Sequence, residues 1–204
     1  MRADARRNRA RILDAAEEIF GERGPGASTE AIAIRAGVAI GTVFRHFPTK
    51  EDLLAAIMKR LLTELVEHGE TLAADGTGAT ALYEYFGYVV ERAAGARTVV
   101  GALRAGSEEL TARTAASSGV DQAADDRSKR AGGDPLGAVG ELHGVLETLV
   151  AKAREAGTVG DGVTGRDVGD LLTAACHGAL YGEWDEERRG RALAVMFAGL
   201  RSAR

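Results

Sequence analysis

STEAIAIRAGVAIGTVFRHF, residues 28–47, reads as two short helices joined by a tight turn. Ser28 is a helix N-cap, its hydroxyl placed to accept one of the N–H groups that a first turn leaves without an intrahelical partner. Ile32, Ala33 and Ala36 recur at helical spacing, and Gly37 follows where a chain leaving a helix often needs a left-handed residue. Val38 fills the corner, and small Ala33 lets the two helices cross closely. The second helix covers about Ile40 to His46, with Val43 and Phe47 turned inward and Ile40, Thr42, Phe44, Arg45 and His46 turned outward. The pattern is a helix-turn-helix. It suits duplex DNA, because an α-helix fits the major groove while a supporting helix crosses the backbone.

Working outward, the continuation GTVFRHFPTKEDLL, residues 41–54, with the helix before it, resembles the tetracycline-repressor (TetR) family of bacterial transcriptional regulators. The resemblance is specific over about residues 8–60 and elsewhere extends to length, helical pattern and an apolar C-terminal pair of helices. It implies an all-α fold of about nine helices. Residues 1–48 would form a three-helix DNA-binding domain, and residues 49–204 a larger helical domain for effector binding and dimerisation, with the fourth helix linking the two. The implied function is that of a homodimeric repressor released from a palindromic double-stranded operator by a small-molecule effector; dependence on a corepressor, or activation, is the alternative. Carried over by position, Ser28 matches a phosphate-contacting cap, Thr42, Phe44 and His46 match positions that meet bases or backbone, and Lys50 matches a phosphate-contacting lysine.

Three positions depart from that pattern. Ala39 replaces the usual Ser or Thr, which removes a cap hydroxyl. Phe44 replaces a common Tyr, so its ring packs but donates nothing. Ile40 stands where a basic residue is frequent, and its methyls suit a thymine methyl. Arg45 carries a fork that pairs with guanine O6 and N7. Upstream, Arg6 and Arg7 belong to an arginine-rich start that reads as an arm for phosphates or the minor groove.

The net charge of −4 looks unsuited to DNA, but the charge is divided unevenly. Residues 1–60 carry 11 Lys and Arg against 8 Asp and Glu, whereas the rest carries 15 against 22, so a mildly basic head precedes an acidic body. Only 4 of the 26 basic residues are lysines, which sets Lys50 apart. The single cysteine, Cys176, excludes an internal disulfide and fits a reducing cytoplasm. The N-terminus has no apolar signal segment and no window approaches a membrane span, so a cytoplasmic protein without membrane contact is expected.

The first helix should run from Asp4 to Arg23, with Ile12, Leu13, Ala16, Ile19 and Phe20 on one face, until Gly24-Pro25-Gly26 breaks it. Thr49 caps a fourth helix that reaches about Leu72. Further helices are expected near 79–94, 97–105, 135–156 (capped by Asp134), 165–184 and 186–202, with a partial helix at 108–116 inside a polar connection, 106–134. An effector pocket between the fourth and eighth helices would draw on Met58, Leu62, Tyr83, Phe86, Val90, Leu103, His143, Leu146, His177 and Tyr181. The family resemblance places a dimer interface on the last two helices, at Val168, Leu171, Leu172, Ala175, Leu193, Met196, Phe197 and Leu200. No cofactor is expected. No Ser/His/acid constellation, phosphate loop or metal-ligand spacing appears, so an enzyme on a helical bundle is the weaker reading. The acidic net charge argues against a non-specific architectural DNA binder.

Overall fold

The computed structural model describes residues 2–101, 135–182 and 184–202. Every regular element among them is helical: α1 (Arg2–Arg23), a 3-10 turn (Gly24–Gly26), α2 (Thr29–Ala36), α3 (Ile40–His46), α4 (Lys50–Asp75), α5 (Ala81–Gly95), α6 (Pro135–Glu155), α7 (Gly165–Tyr181) and α8 (Glu186–Ser202). Residues 97–101 are helical as well. Leu103, Asp134 and the connection at 106–134, including the partial helix expected at 108–116, lie outside the described residues. No described helix is long and apolar enough to cross a membrane.

Two compact units emerge. Among the described residues, the first comprises 2–60 and 98–101, and the second comprises 61–97, 135–182 and 184–202. In the first, the α1 stripe Ile12, Leu13, Ala16, Ile19 and Phe20 packs with Ile32, Ala33, Ala36, Val43, Phe47, Leu53 and Ile57 in one core. Large aliphatic and aromatic side chains buried this way contribute about 1.5–3 kcal/mol each. Arg35 reaches back from α2 to Glu18 and Glu22 of α1, at 2.7 and 3.0 Å. Arg60 joins α4 to Asp14 and Glu17, at 2.6 and 2.7 Å. Such partly exposed, solvent-screened pairs fix register more than they add stability.

The second unit is organised on α5, which buries Leu82, Tyr85, Phe86, Val89 and Val90. The α4 backbone passes closest at Gly69, where a Cβ would run into Val145 and would stand 2.7 Å from the Tyr85 ring edge. From α8, Phe197 sets its ring edge-on to Tyr83 and Phe86, with centroids 4.8 and 5.3 Å away. Tyr83 then donates its hydroxyl proton to the Thr158 carbonyl at 2.6 Å. Thr164 and Asp167 form a reciprocal capping box at the start of α7.

Candidate nucleic-acid interface

Local chemistry shapes the helix pair in the first unit. Ser28 Oγ accepts the Ala31 N–H at 3.2 Å, which caps α2. Gly37 ends that helix at φ +62°, and Val38 packs on the core behind the turn. Ala39 precedes α3 with no side-chain cap bond, as its methyl side chain dictates. Val43 and Phe47, 0% and 4% exposed, anchor α3 from beneath.

The remaining α3 side chains fall on three parallel lines, because residues four apart share a helix face. Ile40 and Phe44 form an apolar flank, 37% and 48% exposed. Gly41 and Arg45 form the outermost line, both exposed. Thr42 and His46 form the opposite flank and are only partly exposed. Arg45 makes no ion pair or hydrogen bond among the described residues. From Ala31 to Lys50 the chain has no Asp or Glu. The structure thus offers an exposed, acid-free helix face with one unengaged guanidinium at its crest.

Lys50 is more engaged than its sequence position suggested. Its Nζ donates to the Ala27 carbonyl at 3.2 Å and sits 5.4 Å from the Phe20 ring centroid. It therefore ties the first turn of α4 to the segment leading into the Ser28 cap. Arg6 and Arg7 stand on α1, which is helical from Arg2, and not on an extended arm; Arg7 is paired with Asp4. Two arginines without an assigned role frame the motif instead. Arg9 lies over the Phe47 ring at 5.2 Å, and Arg11 Nη2 donates to the Gly37 carbonyl at 3.2 Å. Sequence reading had no signal for these contacts, which join residues 38 and 26 positions apart.

Of the ten residues expected around an effector, Leu103 lies outside the described residues, and the other nine have differing surroundings. Phe86, Val90 and Leu146 are core, at 0%, 0% and 4% exposure. Tyr83 spends its hydroxyl on Thr158, and Met58 packs on the core of the first unit. Leu62 is half-buried. His143 is exposed, 3.7 Å from Glu147, and the His177 and Tyr181 rings meet at a tilt at the surface, with centroids 4.7 Å apart. Two open grooves in the second unit have other linings. One of about 460 Å³ runs along Val163, Asp167, Leu171, Met196 and Leu200. The other, about 490 Å³, lies between Glu70, Ala73 and Ala74 of α4 and Glu141, Gly144, Val145 and Thr148 of α6.

The expected dimer residues are similarly divided. Val168, Ala175 and Leu200, at 0%, 0% and 4% exposure, are packed within their own chain, as is Phe197 against Tyr83 and Phe86. Leu171, Leu172, Leu193 and Met196 are half-buried. The large apolar side chains that α7 and α8 leave exposed among the described residues are Tyr181 and Val195, at 46% and 73% exposure. Of the second unit's titratable groups, Tyr85 is pushed up to about 12 by burial, with the nearby Cys176 thiol adding to the shift. Burial likewise pushes Cys176 up to about 11. No group of three or more potential metal ligands occurs among the described residues.

Comparison with known proteins adds to this geometry. Residues 12–57 match the model of bacterial regulatory proteins, tetR family, and residues 77–202 match that of the C-terminal domain of SbtR-like transcriptional regulators. A TetR transcription regulatory protein from Mycobacterium vanbaalenii is 33% identical, with 98% of each chain covered and a TM-score of 0.69. A TetR transcriptional regulator from Streptomyces coelicolor is 28% identical, covering 95% of this chain and 98% of that one, with a TM-score of 0.66. A helix-turn-helix transcriptional repressor from Mycobacterium tuberculosis is 48% identical over 67 residues, which span 31% of this chain and 36% of that protein. The match to such curated relatives thus spans little more than a third of their length.

Proposed function

This chain belongs to the tetR family of bacterial regulatory proteins, and from that premise we propose that it is a homodimeric, DNA-binding transcriptional repressor controlled by a small-molecule effector. The observation that carries the reading is the outward face of α3, acid-free and crested by Arg45, which has no ion pair or hydrogen bond among the described residues. Such a face meets a major groove without electrostatic penalty, and a guanidinium fork reads guanine O6 and N7. Around it, Ser28, Thr42 and His46 contact backbone or bases, while Ile40 and Phe44 lie against the groove wall. Lys50 adds its charge near phosphate while holding the α2 cap. Arg6, one turn before Arg9, reaches phosphate from the α1 helix.

Two copies, joined through the outer faces of α7 and α8 at Tyr181 and Val195, present two α3 helices to a near-palindromic site. The effector binds the second unit and favours a dimer geometry that no longer matches the operator. Coupling of this kind is worth roughly 1–3 kcal/mol. Members of this family regulate transcription and are not enzymes. The protein works in the cytoplasm, where its DNA is.

Selection of bound fragments from sheared genomic DNA at near-physiological salt tests the proposal. Enrichment of a shared inverted repeat is the expected result. Uniform recovery of all fragments, with affinity set by salt alone, would reduce the protein to a non-specific binder.

A further inference from the structure

The apolar flank of α3 is not explained by the fold of the first unit. Ile40 and Phe44 expose 37% and 48% of their surface, although the core beneath is already filled by Val43 and Phe47. Gly41, beside them, is also unexplained from within. A glycine inside a helix costs about 0.5–1 kcal/mol relative to alanine, and among the described residues no other part of the fold comes within 4 Å of where its Cβ would be. On the outermost line of α3, between the apolar flank and Arg45, that bare backbone leaves room for an approaching surface.

We infer that Ile40 and Phe44 form a methyl-reading edge, and that binding depends on pyrimidine C5-methyl groups in each half-site. The inference rests on the DNA-binding reading above. The absence of acidic residues from Ala31 to Lys50 fits a polyanionic occupant. With Gly41 bare, the helix axis can approach the groove floor, and its apolar flank then reaches the edges of the bases. In the major groove the one apolar group a standard base offers is the thymine methyl. The two side chains are separated by four residues, about 6 Å along the helix. At about 3.4 Å per base-pair step, they span two steps. Each half-site therefore carries one or two thymines read through their methyls, beside the guanine read by Arg45. A cytosine methylated at C5 would satisfy the same contact.

The test uses the full-length protein and the duplex recovered by genomic selection, resynthesised with deoxyuridine replacing thymine at one position at a time. Each substitution removes a single methyl and leaves base pairing intact. Burial of one methyl is worth about a fourfold change in affinity. The expected result is a loss of that size at one or two positions per half-site, disappearing in the Ile40→Ala, Phe44→Ala double variant. The wild-type arm alone is decisive if the variant folds poorly: losses under twofold at every position overturn the inference while leaving specific DNA binding in place. Losses that persist undiminished in a folded double variant assign methyl reading to other residues and overturn it too. Recovery of no shared sequence removes both this inference and the function on which it rests.

Discussion

Arg11 Nη2 donates a 3.2 Å hydrogen bond to the carbonyl of Gly37, so a side chain of α1 holds the turn between α2 and α3. Gly37 sits there at φ +62°, and a Cβ on it would stand 2.6 Å from the same guanidinium nitrogen. Gly37→Ala therefore combines a left-handed strain of about 1–2 kcal/mol with displacement of Arg11. The urea midpoint should fall by a corresponding amount, and Arg11→Met should cost less, since an exposed hydrogen bond contributes only about 1 kcal/mol. A Gly37→Ala variant as stable as the wild type would show that the turn is not held in this way.

Asp167 gives a pH-dependent prediction. The Thr164 hydroxyl and backbone N–H hold its carboxyl below the ordinary value of 3.8. A lowered folded-state pKa means that the contribution is present above the ordinary value and lost as pH falls through the lowered one. Asp167→Ala should lower the urea midpoint at neutral pH, with the gap to wild type closing as pH drops below 3.8. A gap that stays constant from pH 7 to 3 would mean that the capping box does not act through the charged carboxylate.

Cys176, half-buried in the second unit, offers a reactivity test. Its thiol is pushed from the ordinary value of 9.0 up to about 11 by burial, and the thiolate is the reactive form. At pH 8, labelling by a chromogenic disulfide should therefore run about 100-fold slower than for free cysteine, and urea should restore the rate. Native-state labelling within tenfold of free cysteine would contradict this placement.

Val195 tests the proposed pairing of two copies. It is 73% exposed on α8, so Val195→Glu has no cost within the chain. Sedimentation should show the variant as a monomer with an unchanged helical circular-dichroism spectrum. A dimer of undiminished affinity would move the interface elsewhere.

The helix-turn-helix was legible in the sequence because every constraint on it is local. Ser28, Gly37 and the Val43/Phe47 pair set the bounds Thr29–Ala36 and Ile40–His46. The helix beginning near residue 165 was legible as well, but not the capping box of Thr164 and Asp167 that starts it. Periodicity was less informative in α7 and α8. It gathers Val168, Leu171 and Ala175 on an apolar face but does not say which neighbour covers that face. The structure covers Val168 and Ala175 from within the chain. Phe197 and Tyr83, joined edge-on across 114 residues of sequence, have no sequence signature at all. Nor does Arg11 on Gly37.

The most direct test of the account is the affinity of wild-type protein and of Arg45→Ala for one selected operator duplex and a scrambled duplex of equal composition. Fluorescence anisotropy at about 150 mM salt, near the physiological screening regime, is the measurement. Arg45 makes no ion pair or hydrogen bond among the described residues, so its removal should leave the melting temperature nearly unchanged. Loss of a bidentate guanine contact should weaken operator binding by about 1–3 kcal/mol, five- to more than a hundredfold. Affinity for the scrambled duplex should fall far less. Equal affinity of the wild type for both duplexes, or operator binding unaffected by Arg45→Ala, would contradict the assignment of α3 as the helix that reads sequence.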